Sequence, residues 1–87
     1  MSPADRLARG VIGNQIRGWR LRRHLSQAGL ARAAGINQAS ISNYEQGKRD
    51  LPVSVLVRIA AALDVDIVEI VNDDVQRSLL GMPPATG

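Results

Sequence analysis

The sequence predicts an all-α fold, a compact domain of five helices with a short helical extension allowed at the C-terminal end. Three observations carry that expectation. Apolar residues recur at the three- and four-residue spacing of a helix face along most of the chain. Ser, Asn, Asp and Gly stand where helix ends would fall, and these are the residues that cap helices. No strand signal appears anywhere. With 87 residues there is room for one core and no second.

Residues 1–10 read as an N-terminal arm: Ser2-Pro3-Ala4-Asp5 could cap a short helix, which Gly10 and Gly13 then interrupt. A first main helix is predicted from about Val11 to Arg23, with Ile12, Ile16 and Trp19 inward. Trp19 suits core or core-edge packing. His24, in the following loop without Cys or carboxylate neighbours, suits neither metal binding nor catalysis. Ser26 N-caps a second helix that turns Leu30, Ala31 and Ala34 inward, with Ala31 small where two helix backbones approach closely. Gly35 supplies the left-handed turn.

The third helix opens at Asn37 and ends near Gln46-Gly47, with Ile36, Ile41 and Tyr44 covering its underside. Lys48 to Pro52 is a loop. A fourth helix follows and is expected to bury Val53, Leu56, Ile59, Ala60 and Leu63. Asp66 then caps a short fifth helix, where Ile67, Ile70 and Val71 close the core. Residues 11–72 thus form the domain, and 73–87 an extension. In that extension DDVQRSLL could add helical turns, and GMPPATG reads as a frayed tail.

Composition narrows the function. There is no Cys, hence no disulfide frame and no thiolate metal site, and a reducing cytoplasm is the expected home. No apolar run approaches the roughly 18 residues of a membrane span, and no apolar signal core follows Arg6 and Arg9. Trp19 and Tyr44 are the only aromatics, which weakens any single-strand or RNA-binding reading. Charge is split along the chain. Residues 1–49 hold Arg6, Arg9, Arg17, Arg20, Arg22, Arg23, Arg32, Lys48 and Arg49 against Asp5 and Glu45 only. Residues 50–87 hold Arg58 and Arg77 against Asp50, Asp64, Asp66, Glu69, Asp73 and Asp74. One half attracts phosphate and the other repels it.

Two short helices meeting at a tight turn occupy Ser26 to Glu45, SQAGLARAAGINQASISNYE. Outward on the second lie Asn37, Gln38, Ala39, Ser40, Ser42 and Asn43, amide and hydroxyl types that read base edges in a major groove. The segment from Ile12 to Val71 resembles the lambda-repressor-like, or Xre/Cro-type, helix-turn-helix family. The matching residues are IGNQIRGWRLRR, LSQAGLARAAGI, SISNYEQGKR and VLVRIAAALDVDIVEIV. The resemblance implies a transcriptional regulator that binds double-stranded DNA.

Within it, Gln38 is the leading base reader, since its carboxamide can meet adenine N6 and N7 together. Ala39 can offer a methyl to thymine, and Ser42 and Asn43 lie one turn on. Ser26 and Gln27 at the second helix start, Asn37, Ser40, and Lys48 and Arg49 in the loop are candidate phosphate contacts, with Arg17 on the first helix. Arg22 and Arg23 are candidate steering charges with solvent exposure as their alternative. The family's Gln at the position of Gln27 also braces the first recognition-helix Gln. Asn37 serves equally well as a cap alone. Arg20 and Glu45 match the family's internal ion pair and imply a structural lock between the first and third helices. Three departures stand out: Asp64 stands where the family usually has Gly, so the left-handed corner there is implied to fall on Asp; Gly29 is a poor helix former inside a helix; and Ala39 with Ser40 makes a reading surface short of long side chains, which favours readout of DNA shape.

The leading expectation is a sequence-specific regulator acting as a homodimer on a pseudo-palindrome, because one small recognition helix gains little alone. Val57 and Val68 look exposed and could serve a dimer contact. So could a Val71, Val75 and Leu79 stripe, which could equally pack on the domain's own core. The alternative is an antitoxin-type protein whose acidic half grips a partner, a toxin or co-regulator, while its helix-turn-helix controls its own operon. No cofactor or metal is expected. An enzyme is the weakest class: one His, no Cys and no carboxylate pair in an apolar setting leave no evident acid–base or nucleophilic machinery.

Overall fold

The computed structural model describes residues 2–71. Its order is α1 (Pro3–Arg22), α2 (Gln27–Ala34), α3 (Gln38–Glu45), α4 (Val53–Leu63) and α5 (Ile67–Val71), with no strand among the described residues. The expected helical turns and tail beyond Asn72 lie outside that range.

One core holds the helices together. Ile16, Leu30, Ala31, Ala34, Ile41, Tyr44, Leu56, Ile59, Ala60, Leu63 and Ile70 are buried, and Ile12, Trp19, Ile36, Ile67 and Val71 pack at its edge. Helix α2 is sandwiched between α3 and α4, while α1 lies across α3, α4 and α5. Val57 and Val68 are exposed. Val53 is too, at 74%, although the spacing places it on the inward face. It is the first residue of α4, and helical side chains lean toward the N-terminus, here past the end of the packed core.

Helix α1 begins eight residues before the expected start at Val11. The Ser2 hydroxyl accepts from the Asp5 N–H at 3.2 Å and Pro3 opens the first turn, so the cap works, and the helix continues unbroken through Gly10 and Gly13. Those glycines are contacts rather than breaks. A Cβ at Gly13 would overlap the carbonyl oxygens of Tyr44 and Glu45, and one at Gly47 would lie 3.2 Å from the Gly10 backbone. The backbone of α1 therefore rests directly on the end of α3 and the loop beyond it. Gly29 sits in the first turn of α2, where its N–H donates to the Ser26 hydroxyl at 2.9 Å, so it is part of a cap rather than of a helix interior.

The first four helices end in one way. His24, Gly35, Gly47 and Asp64 are left-handed, with φ of 58°, 72°, 70° and 58°. The next N–H reaches back over the turn in each case: Leu25 to Arg20, Ile36 to Ala31, Lys48 to Asn43 and Val65 to Ala60, at 2.9–3.0 Å. This six-residue closure satisfies carbonyls that the helix leaves open. Leu25, Ile36 and Val65 tuck back against the core after it. Lys48 alone stays exposed. The fifth helix has the opposite device at its start, the Asp66 N–H donating to the Glu69 carboxylate at 3.1 Å.

Candidate nucleic-acid interface

The inner side of α3 is fixed by a buried charge cluster. Arg20 Nε donates to Glu45 Oε2 at 2.6 Å and Nη2 to Oε1 at 3.1 Å, a two-pronged pair with side chains only 10% and 3% exposed. Arg20 Nη1 donates to the Leu25 carbonyl at 2.9 Å. Gln27 Nε2 donates to Glu45 Oε1 at 3.2 Å. A planar guanidinium matches a carboxylate at two points, and every donor added compensates for the water the buried charges lost. Gln27 therefore braces the last residue of α3, and its carboxamide keeps a second N–H and its oxygen for other partners.

The outer side of α3 is open. Asn37, Gln38 and Ala39 are exposed, and Ser40, Ser42 and Asn43 are half-buried. Asn37 Oδ1 accepts the Ser40 N–H at 2.8 Å, so that oxygen caps the helix and only the amide nitrogen is left for a ligand. Ser42 Oγ accepts from Gln46 Nε2 at 2.8 Å. Gln46 thus joins this surface, although the sequence reading took it only as the end of the helix. Its four-residue spacing from Ser42 was the available signal.

The basic residues separate into held and free. Arg23 Nε donates to the Leu63 carbonyl at 2.8 Å and Nη2 to that of Asp64 at 3.3 Å, so this arginine, a steering candidate from sequence, closes the end of α4. Arg22 and Arg23 lie over the Trp19 ring at 4.9 and 5.3 Å, which gives that indole a packing role. Arg49 lies 5.8 Å over the Tyr44 ring, and Lys48 beside it is exposed. Arg17 is exposed on α1. The Ser26 hydroxyl is occupied by Gly29, which leaves the first backbone N–H groups of α2 as its anion-facing donors. Sequence reasoning also missed an ion pair beside the loop, Arg9 Nε to Asp50 Oδ1 at 3.6 Å.

Among the described residues no group of three or more His, Cys, Asp or Glu could hold a metal ion, and no helix is long and apolar enough to cross a membrane.

Comparison with known proteins agrees with this geometry. The family model for the helix-turn-helix, HTH_3, matches residues 16–70. No curated protein sequence matches. Among solved structures, the restriction-modification controller protein C.AhdI from Aeromonas hydrophila is similar at 26% identity and a TM-score of 0.73, over 75% of this chain and 94% of that one. A hypothetical transcription factor, NHTF from Neisseria, is 27% identical with a TM-score of 0.74, over 84% of each chain. A complex of the SinR and SinI proteins contains a chain 25% identical with a TM-score of 0.66, over 80% of this chain and 75% of that one. Its matched sequence, its five-helix fold and these neighbours place the chain in the Xre- and lambda-repressor-like helix-turn-helix family of DNA-binding transcriptional regulators.

Proposed function

We propose that this protein is a sequence-specific regulator that inserts α3 into the major groove of double-stranded DNA, as a homodimer on a pseudo-palindromic operator. The observation that carries the reading is the division of α3: Ile41, Tyr44 and Glu45 are buried, while Gln38, Ala39, Ser42 and Asn43 remain on the other side. Gln38 binds adenine N6 and N7 through its carboxamide, and Ala39 lies against a thymine methyl. Ser42 and Asn43 contact bases one turn further along. Lys48 and Arg49 meet the phosphate backbone after α3; Ser26, Gln27, Asn37, Ser40 and Arg17 complete those contacts. Selection of bound sequences from random duplex DNA tests all of this together. Two half-sites about one helical turn apart, roughly 10–10.5 base pairs, are expected. Enrichment of a single half-site would remove the dimer, and no enrichment would remove sequence-specific reading.

A second reading has one observation in its favour. The SinR and SinI structure holds two proteins together, and Val53, Val57 and Val68 form exposed apolar positions on the acidic half of this chain. In that reading the protein is of the antitoxin type, holding a toxin or co-regulator there and controlling its own operon through α3. A small basic protein co-purifying at fixed stoichiometry, lost on Val57→Asp, would favour it.

A further inference from the structure

The loop after α3 brings opposite charges very close together. Lys48, Arg49 and Asp50 are consecutive, so their Cα atoms are at most about 7.6 Å apart. A carboxylate that close to two phosphate-binding cations lies within the screening length of about 8–10 Å and repels the same phosphates. Asp50 is 86% exposed, so burial does not mute its charge. What stands beside it is Arg9, whose side chain is only 16% exposed and whose Nε lies 3.6 Å from Asp50 Oδ1. That nitrogen is shielded from water and has no hydrogen-bond partner. Helix α1 passes close to the loop here, since a Cβ on Gly47 would meet the backbone of Gly10 at 3.2 Å and that of Arg9 at 3.4 Å.

We propose that Arg9 is a positioning residue for DNA binding: it draws the Asp50 carboxylate onto α1, away from the phosphate path, and so sets the loop that presents Lys48 and Arg49. The N-terminal turns of α1 are then part of the binding apparatus without touching DNA. The Asp50 end of the pair is open to water and the contact is long at 3.6 Å, so it is screened and adds little to fold stability; its removal leaves the domain folded and changes the loop. This inference rests on the assignment of Lys48 and Arg49 to the backbone.

The test is a double-mutant cycle on binding to a selected duplex, read with the salt dependence and with thermal melting of each variant. Arg9→Met should weaken binding several-fold with an unchanged melting midpoint. Asp50→Ala should restore binding in the Arg9→Met background and return the salt slope to that of the parent. Arg9→Lys should retain most of the affinity. If Arg9 instead contacts phosphate itself, Asp50→Ala would not rescue Arg9→Met, and the slope would stay shallower by about 0.9. That result overturns the proposal, as does a lowered melting midpoint that tracks the lost affinity. Lys48→Ala and Arg49→Ala are the separating arm. If neither weakens binding, the backbone assignment of the loop has failed. If both weaken it and Asp50→Ala does not rescue, the positioning role alone has failed.

Discussion

The two sides of α3 follow opposite rules. On the inside, Glu45 accepts from Arg20 twice and from Gln27 once, and Ile41 has no exposed surface. On the outside, Gln38 and Ala39 have no partner that fixes them, and the side-chain bonds of Asn37 and Ser42 are local ones to Ser40 and Gln46. The inner side holds the helix at one place and angle; the outer side is left to water and, in the function proposed above, to DNA. Polar groups thus stabilise the fold where they are paired and stay available for recognition where they are not.

The largest effect should come from breaking the inner side. Glu45→Ala leaves the Arg20 guanidinium buried and unpaired, and should cost about 3–5 kcal/mol in denaturant unfolding. Arg20→Met combined with Glu45→Leu should recover much of it; a double variant no more stable than Glu45→Ala would show that the pair is not the lock. Next comes the seam with α1. Gly13→Ala gains up to about 1 kcal/mol of helix propensity, but its methyl meets backbone oxygens that cannot rotate away. A net loss of about 1–3 kcal/mol is expected, and a stabilised variant would mean that α1 shifts freely on α3.

The outer side should respond in binding rather than in stability. Gln38→Ala should cost about 1–3 kcal/mol on the selected site and relax preference at one base pair per half-site. Equal weakening on every sequence would show that Gln38 does not read a base. The smallest effect belongs to the helix ends. His24→Gly and Asp64→Gly relieve left-handed strain at the cost of unfolded-chain entropy, and each should raise stability by about 0.5 kcal/mol. A loss would mean that the native side chain makes a contact worth more than the strain.

Much of the inner side was legible in the sequence, because burial leaves a periodic record. Leu30, Ala31, Ala34, Ile41, Leu56, Ile59 and Leu63 stand at helical spacing, and all are buried. The left-handed corner at Gly35 was readable from what glycine tolerates, and that at Asp64 only through the family resemblance. The start of α1 was not, because Gly10 and Gly13 carry the same signature as a helix break until their neighbours are known. Only the approach of Tyr44 and Glu45, more than thirty residues away in sequence, shows why Gly13 is glycine, while a Cβ at Gly10 would meet open space. Arg9 and Arg23 were hidden for a related reason: a guanidinium on an exposed helix and one closing another helix's end look alike in one dimension. The bond from Gln27 to Glu45 was not legible because the two residues stand eighteen positions apart and meet only when α2 and α3 pack. Outer residues carry no such record, since nothing in the domain constrains their choice.

The Gly13 contact has a consequence for exchanging specificities. Because α1 and α3 meet there main chain to main chain, the separation of the two helices is a mechanical stop, indifferent to which side chains fill the core beside it. If positions 38, 39, 42 and 43 read DNA as proposed, a transplanted set of outward residues there would therefore be presented at the same depth and pitch as the native set. The module behaves as a fixed handle with an interchangeable bit, and altering what it reads should need no redesign of what holds it.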